Sequence, residues 1–426
     1  MRAQSGAQAT IGATRGEAFG SPEPARSGDA AGLEQLASIV REIAFGLAVD
    51  DGFSPPPESP DSRKTRPADH GGAFLSAPRH RRRLTHINAA SDHRALPVSE
   101  NSRRPFMSAE PLALFALAGS VDYAKRLAAQ LEVPLAPLEE RSFEDGEHKS
   151  RPLIPVEGAD AYVVHTLYGD ATHTVNDKLC RLLFLLGTLK DHGATRVTAV
   201  VPYLCYARKD RRTQPYDPVT QRYVAALFEA VGTDRMIVLE VHNTAALENA
   251  FRCPTHHINT AELFAEHFSA LARNEKIVAV SPDAGGVKRV ELFRRALERR
   301  SGQPVDNAFV EKYRSGGVVT GGALVGGVEG RTAIILDDLI ATGNTLLRAA
   351  KACRAAGARR VFAAAAHGLF TGGASDLFTS SELNGLVIAD SIAVPTTIPP
   401  AARDQLTILD TTALVAAAIG AAHGDG

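Results

Sequence analysis

The chain has 426 residues, of which 44% are hydrophobic, and its 47 basic side chains nearly balance its 48 acidic ones. This length predicts two or three domains with full hydrophobic cores. A net charge near zero gives no general attraction to nucleic acid or to an anionic membrane, so affinity for phosphates has to be local. The four cysteines are far apart and form no C-x-x-C pair, which argues against a disulfide framework or a zinc site and favours a reducing, cytoplasmic location. No apolar run approaches the roughly 18 residues of a membrane helix, so no membrane partner is expected.

The first hundred residues differ in composition from the rest. Residues 1–106 are rich in Pro, Gly, Ser and Arg with little periodicity, which predicts a disordered or loosely attached extension. One amphipathic helix is indicated at 33–47, where apolar residues recur at helical spacing. The basic run 79–83 has the composition of a nucleic-acid or targeting patch, but a solvated charge run in a tail is the simpler interpretation.

Met107 is one of only three methionines and lies five residues before the first strand-like run, 112–117. We therefore hypothesise that Met107 is the true start, which mass spectrometry of the natural N-terminus would settle. From Arg103 onward the chain also mimics a short signal peptide, yet Glu110 and the Gly119-Ser120 turn favour a first strand and a βα turn.

Apolar strand patterns then alternate with helical patterns, which predicts mostly parallel sheets with helices on both faces. The strands are predicted at 112–117, 161–165, 197–201, 236–241, 277–280, 308–310, 332–336, 361–366 and 385–388. The helices are predicted at 121–131, 176–192 (capped by Asn176 or Asp177), 220–231, 261–271, 287–300, 346–356 and 411–422. These strands are too many for one small sheet, so we expect two α/β domains, 107–258 and 259–408, with a boundary near 254–260. The last helix, within 409–424, is expected to pack back onto the first domain.

The most informative segment is I-I-L-D-D-L-I-A-T-G-N-T, residues 334–345. An apolar strand ends in two aspartates, and a Thr/Gly/Asn/Thr turn then opens a helix. Ionised carboxylates only accept hydrogen bonds, as sugar hydroxyls require, and backbone N–H groups at a helix N-terminus attract a phosphate. The alternative is that the aspartates only cap the helix or bind a solvent cation. The pattern D-D-x-x-x-T-x-x-T resembles the phosphoribosyl-diphosphate (PRPP) loop of type I phosphoribosyltransferases and of ribose-phosphate pyrophosphokinases. That resemblance implies that ribose 5-phosphate is bound by Asp337, Asp338, Thr342, Gly343, Asn344 and Thr345.

Five further segments favour the second of these families, which carries similar motifs in the same order. They are F-E-D-G-E (143–147), P-Y-L-C-Y-A-R-K-D-R-R (202–212), V-H-N (241–243), V-S-P-D-A-G-G-V-K-R (280–289) and E-K-Y-R (311–314). The resemblance covers about 112–422. It implies two tandem type I phosphoribosyltransferase-like domains and an enzyme that moves the β,γ-diphosphoryl group of ATP to the C1 hydroxyl of ribose 5-phosphate, giving PRPP and AMP.

The resemblance also implies roles for single residues. The catalytic cations are Lys312 and Arg314, expected on a mobile loop that closes over ATP, although a charged β-hairpin is the alternative. ATP is bound by Phe143, Asp145, Glu147, Arg208, Lys209 and His242, and Mg²⁺ by His242 and Asp283. Phe143, Asp145 and Glu147 lie on a hairpin that reaches a neighbouring subunit in this family, so the resemblance implies a homo-oligomer built from dimers, such as a hexamer.

Several positions depart from the commonest family pattern. Lys209 stands where glutamine is usual, Glu240 where aspartate is usual, and Ala341 where many members have another acid. The segment 213–218 has the character of an insertion. Two other functions stay open: a phosphoribosyltransferase that uses PRPP, and a non-catalytic partner that regulates an active synthetase. A regulator would not need Lys312, Arg314, His242 and Asp283, so their presence argues against it.

Overall fold

The computed structural model describes residues 110–315, 318–372, 374–396, 398–403 and 405–424, which all belong to one compact unit. The expected N-terminal extension, its helix at 33–47, the basic run at 79–83 and Met107 lie outside the described residues. Within the described ranges, no helix combines the length and the apolar character needed to cross a bilayer.

The first half of the described chain forms a five-stranded parallel sheet in the order β1-β4-β5-β6-β7, and a separate antiparallel hairpin, β2-β3. Its elements are β1 (Leu112–Ala116), α1 (Val121–Leu131), β2 (Leu138–Ser142), β3 (His148–Pro152), β4 (Asp160–Val164), α2 (Val175–Asp191), β5 (Arg196–Val201), α3 (Thr220–Ala230), β6 (Arg235–Leu239), α4 (Thr244–Ala250) and β7 (Thr255–Ile258). Strands such as β4 are buried along their whole length, because helices cover both faces of the sheet. Helices α2, α3 and α4 pack on one face and α1 on the other.

The second half forms a seven-stranded sheet in the order β10-β9-β8-β11-β12-β13-β14, in which only β9 and β10 are antiparallel. Its elements are α5 (Ala261–Asn274), β8 (Ile277–Ser281), a 3₁₀ turn (Ala284–Gly286), α6 (Val287–Ser301), β9 (Val305–Ser315), β10 (Val318–Val325), β11 (Thr332–Ile340), α7 (Asn344–Ala355), β12 (Arg360–Gly368), α8 (Ser375–Thr379), β13 (Gly385–Ala389), α9 (Pro400–Arg403), β14 (Leu406–Leu409) and α10 (Thr412–Gly424). Helices α5 and α6 cover one face and α7 and α8 the other.

Helix α10 returns to the first sheet. Its apolar side chains share a buried cluster with α1, and Thr411 at its start is hydrogen-bonded to Tyr123 at 2.8 Å between the two hydroxyl oxygens. At its other end, His423 Nδ1 lies 2.7 Å from the buried carboxylate of Asp160, and Arg235 donates to the Ala422 carbonyl. The last helix therefore packs on the first sheet.

The prediction of parallel sheets flanked by helices is confirmed, with local corrections. The domain boundary near 254–260 stays a prediction; that segment contains β7, which pairs with β6. Strands β10 and β14 were not predicted, because the first is glycine-rich and the second alternates too briefly to stand out. Helix α2 is capped by Thr174 rather than by Asn176 or Asp177: the Asp177 N–H donates to the threonine hydroxyl, and the Asp177 carboxylate accepts from the Thr174 N–H, as in a capping box.

Candidate active site

A cleft of about 1270 Å³ opens where β6 of the first sheet meets the carboxyl ends of β8 and β11 of the second. Strand β8 leads into α6 on one face of the second sheet, and β11 leads into α7 on the other. Neighbouring strands whose following helices diverge in this way leave a crevice at their carboxyl ends, where α/β proteins commonly bind ligands. Both halves of the chain contribute to the walls of this cleft.

The cleft brings together His242 from the first half and the two adjacent aspartates from the second. His242 Nδ1 lies 2.8 Å from Asp338 Oδ2, and the Asp338 side chain is only 10% exposed. Strand β11 runs on to Ile340, so Asp337 and Asp338 lie within the strand and not at its end as the sequence suggested. The extension pairs with β12, whose partner residues continue to Gly368.

The two aspartates have opposite ionisation tendencies. Burial and the neighbouring Asp338 carboxylate raise the pKa of Asp337 well above its usual value. Burial alone would also raise the pKa of Asp338, but the hydrogen bond from His242 and the charge of Arg289 outweigh it and hold that pKa below its usual value. The same hydrogen bond raises the pKa of His242. Asp338 is therefore the more readily ionised of the two carboxylates, and its charge is paired with the imidazole.

Asp283 begins the 3₁₀ turn that follows β8. Its Oδ1 accepts from the N–H groups of Gly285, at 3.0 Å, and of Gly286, at 3.3 Å, so this aspartate caps the turn while lining the cleft. A Cβ on Gly286 would lie 2.7 Å from Ser281 Oγ, which explains why glycine occupies that position. The turn therefore holds Asp283 at a fixed place in the wall of the cleft.

The loop predicted to bind phosphate leads from β11 into α7. Thr342, Gly343 and Thr345 line the cleft, and Asn344 is the exposed first residue of the helix. Gly343 has a φ of 78°, which glycine adopts readily. Since the first N–H groups of α7 have no partner within the helix, the loop offers backbone donors and a positive helix end to an anion. Ala341 anchors this loop through its carbonyl, which accepts from Thr371 N–H at 3.0 Å.

The basic residues after β5 lie in two different environments. Arg208 lines the cleft, but the described lining does not include Lys209, whose Nζ lies 2.7 Å from Asp217 Oδ2. The same aspartate oxygen accepts from the Thr213 and Gln214 N–H groups. These hydrogen bonds close the insertion-like segment 213–218 into a compact loop. The role of Lys209 in ATP binding stays a prediction. In this conformation its ammonium group pairs with Asp217 in that loop.

Lys312 and Arg314 lie on a strand, which corrects the expected mobile loop. Strand β9 extends from Val305 to Ser315, and its partner β10 places Gly322 opposite Lys312 and Val319 opposite Arg314. The charged hairpin that the sequence left open is therefore the backbone arrangement found. The backbone of Lys312 and Arg314 is therefore held in the β9-β10 ladder. Their side chains lie outside the part of the chain that the structure describes.

Phe143, Asp145 and Glu147 form the turn of the β2-β3 hairpin and are absent from the described lining of the cleft. Asp145 Oδ1 accepts from the Glu147 N–H at 3.0 Å, and the half-buried Phe143 ring lies under the Arg141 guanidinium at 4.9 Å. The hairpin is thus a well-formed two-stranded element separate from the first sheet, and its three candidate residues do not join the described lining of the cleft.

Two residues important to the cleft were not selected from the sequence. Arg289 donates from Nε to Glu240 Oε1 at 3.0 Å, and its Nη1 lies 3.9 Å from Asp337 Oδ1 and 3.8 Å from Asp338 Oδ1. Arg289 belongs to the quoted segment 280–289, and Glu240 was noted only as a departure from the family pattern. The sequence pointed to both residues, but it gave no sign that they pair across 49 positions.

The fit of the described residues to Mg²⁺ depends on how many ligands the protein itself supplies. These residues contain no group of three or more His, Cys, Asp or Glu side chains placed to hold a metal ion. Magnesium often keeps several waters and binds through one or two carboxylates together with substrate phosphates. Asp283 fits that requirement, whereas a histidine nitrogen is a less usual magnesium ligand. The donor set therefore fits a cation that arrives with a nucleotide better than one held by the protein alone.

Comparisons with known proteins agree with this architecture. Residues 112–232 match the model of the N-terminal domain of ribose phosphate pyrophosphokinase, and residues 319–425 match that of the phosphoribosyl synthetase-associated domain. Ribose-phosphate pyrophosphokinase 1 of Listeria monocytogenes is 33% identical over 285 residues, which cover 67% of this chain and 86% of that protein. The putative ribose-phosphate pyrophosphokinase 2 of Streptococcus agalactiae is 32% identical over 311 residues, which cover 73% and 91%.

The crystal structure of phosphoribosylpyrophosphate synthetase from Mycobacterium smegmatis superposes with a TM-score of 0.67 and 30% identity, covering 74% of this chain and 100% of that one. The fold is thus that of an α/β protein of the PRPP synthetase type. The chain belongs to the ribose-phosphate pyrophosphokinase family.

Proposed function

We propose that this protein is a ribose-phosphate diphosphokinase, which transfers the β,γ-diphosphoryl group of ATP to the C1 hydroxyl of ribose 5-phosphate and releases PRPP and AMP. The observation that carries the proposal is that candidate residues from both halves of the chain line one cleft. The ribose-phosphate loop of β11 and α7 faces Arg208 and His242 from the first half of the chain. A phosphoribosyltransferase needs the loop between β11 and α7 but not Arg208 or His242.

On this proposal the acceptor sugar lies along the carboxyl end of β11. Asp337 and Asp338 accept hydrogen bonds from ribose hydroxyls, and the loop Thr342 to Thr345 holds the 5-phosphate with backbone N–H groups. The hydrogen bond from His242 fixes the Asp338 carboxylate, so the sugar meets an acceptor that is already oriented. Orientation of this kind lowers the entropic part of the barrier to transfer.

The donor half is proposed to receive ATP with its Mg²⁺. Arg208 neutralises phosphate oxygens, and Asp283 and His242, which both line the cleft, contact the cation that the nucleotide brings. Such a cation supplies charge neutralisation on the phosphate oxygens. Lys312 and Arg314, in the β9-β10 ladder, are proposed to contact the transferring group, where two cations stabilise charge that develops during transfer.

The β2-β3 hairpin supports a further part of the proposal, namely that the nucleotide base is held by another copy of the chain. Phe143, Asp145 and Glu147 form the turn of this separate hairpin and are absent from the described lining of the cleft. Phe143 offers stacking area, and the carboxylates accept from an adenine amino group. We therefore propose a dimer-based homo-oligomer as the active form, in the cytoplasm.

One assay separates the candidate functions. Purified protein is incubated with ATP, Mg²⁺ and ribose 5-phosphate, and both AMP and PRPP are quantified. We expect the two products in equal amounts. A well-folded oligomer that forms no AMP would refute the proposal; consumption of PRPP with a nucleobase would identify a phosphoribosyltransferase, and stimulation of an active synthetase a regulatory partner.

The same assay tests the hairpin. Replacing Lys312 by alanine should lower kcat by about a hundredfold or more and leave the affinity for MgATP within about threefold, because the lost charge acts mainly on the transition state. The matched control is Lys125→Ala, which removes an exposed lysine from α1. Equal kcat values for these two variants would remove Lys312 from the mechanism.

A further inference from the structure

Glu240 is a buried carboxylate whose oxygens are all engaged by the protein. It is 4% exposed, its Oε2 accepts from the Thr260 N–H at 3.1 Å and hydroxyl at 2.8 Å, and its Oε1 accepts from Arg289 at 3.0 Å. Its backbone has a φ of 37°, in the left-handed region that non-glycine residues rarely occupy. Backbone strain of this kind persists where surrounding contacts enforce it, and it is concentrated at functional sites.

Arg289 is held by this carboxylate in one orientation. Its side chain is 12% exposed, Nε donates to Glu240, and Nη2 donates to the carbonyl of Val241, the residue before His242, at 3.3 Å. Two edges of the guanidinium are thus tied to the end of β6. The remaining nitrogen, Nη1, faces the acidic pair at 3.8 to 3.9 Å.

That separation matters for a sugar site. At 3.8 Å or more the guanidinium attracts both carboxylates without a direct hydrogen bond. The positive charge therefore offsets the repulsion between Asp337 and Asp338 while their lone pairs can still accept from ribose hydroxyls. A direct salt bridge would have balanced the charge but occupied those lone pairs.

We propose that Glu240 and Arg289 are positioning residues for the acceptor sugar: Glu240 aims Arg289, and Arg289 holds the acidic pair ready for ribose hydroxyls. This inference rests on the proposed function, since it concerns the same cleft. It assigns a purpose to the glutamate, whose single carboxylate contacts both Thr260 and Arg289.

The main competing interpretation is that Glu240 and Arg289 only join the two halves of the chain. Arg126 provides the matched control, because it also bridges them: its Nη1 lies 2.6 Å from Asp390 and 2.7 Å from Asp410. It is absent from the described lining of the cleft. A purely structural role would make the loss of either arginine affect both substrates alike.

The test measures affinity for ribose 5-phosphate and for MgATP separately, by calorimetry and by KM, in the full-length protein and its variants. Arg289→Met and Glu240→Gln should weaken ribose 5-phosphate binding about tenfold or more and change MgATP binding less than about threefold. Arg289→Lys keeps the positive charge but loses the planar set of guanidinium donors, so its affinity for ribose 5-phosphate should be intermediate. Arg126→Met should leave both affinities within about twofold.

The proposal is overturned if folded Arg289→Met or Glu240→Gln protein binds ribose 5-phosphate as the wild type does, or if both substrates weaken equally. Should those variants unfold, Arg289→Lys and Glu240→Asp apply the same criterion with smaller changes. Wild-type protein that binds ribose 5-phosphate but makes no AMP would refute the proposed reaction alone, because the affinities still report on this pair. Failure of the wild type to bind the sugar phosphate would overturn both.

Discussion

Replacing Gly343 by alanine tests whether the phosphate loop is built as described. With φ at 78°, an alanine there takes up a left-handed conformation that costs about 1–2 kcal/mol. Its Cβ would lie 2.2 Å from Leu377 Cδ1 and 2.5 Å from Leu377 Cγ, and Leu377 is 3% exposed within the core of the second sheet. Forcing an extra methyl group into such a core costs about 1–3 kcal/mol more.

The expected total loss in the free energy of unfolding is therefore about 2–5 kcal/mol, a large part of a typical domain's stability. Gly302 supplies the control that separates the two contributions. It has a φ of 68°, but nothing lies within 4 Å of a Cβ added there. Gly302→Ala should lose only the conformational part, about 1–2 kcal/mol, with no change in substrate affinity.

Urea denaturation followed by circular dichroism gives the two losses, and KM for ribose 5-phosphate gives the effect on the site. If the contact with Leu377 is real, Gly343→Ala should be the more destabilised variant. It should also bind ribose 5-phosphate more weakly with unchanged MgATP affinity, because the loop has to move away from α8. Equal losses from both glycine variants would refute the steric reasoning.

Three other predictions concern acid stability, magnesium and the last helix. Burial tends to raise the pKa of Asp160, but hydrogen bonds from Arg196, His423 and Tyr162 hold that pKa below its usual value. The contribution of Asp160 to the free energy of unfolding is therefore complete above about pH 4 and is lost as pH falls through the folded pKa. Asp160→Asn should therefore cost about 3–5 kcal/mol at pH 7 and progressively less in acid, whereas urea curves of the exposed control Asp122→Asn should follow the wild type at every pH. Because we propose that Mg²⁺ arrives with ATP, EDTA should stop AMP formation without lowering the unfolding temperature of the ligand-free protein; a lower temperature would instead indicate a resident metal. Gly420→Ala, at an exposed position in α10 with no atom within 4 Å of the new Cβ, should raise the free energy of unfolding by about 1 kcal/mol, and a loss would mean that this helix packs differently.

Local sequence signals were sufficient for most of the fold. Buried parallel strands such as β4 and β11 contain uninterrupted apolar runs, at 161–164 and 333–336, and the sequence located α1 at the bounds that the structure has. The signals failed where an element depends on its partner. Strand β7 is four residues long and stable only as the edge beside β6, and the glycine-rich β10 exists because β9 pairs with it. Pairing energy of this kind has no period along the chain.

The same division holds for the site. The sequence by itself determined which residue types are available: two adjacent aspartates, a loop that opens a helix, and a histidine after a strand. Only the tertiary structure decided which of them meet. It placed His242 against Asp338, aimed Arg289 with Glu240, and turned Lys209 toward Asp217. The physical reason is that charge pairing and burial depend on distance in space, and partners 49 or 96 positions apart are brought together by the packing of two sheets.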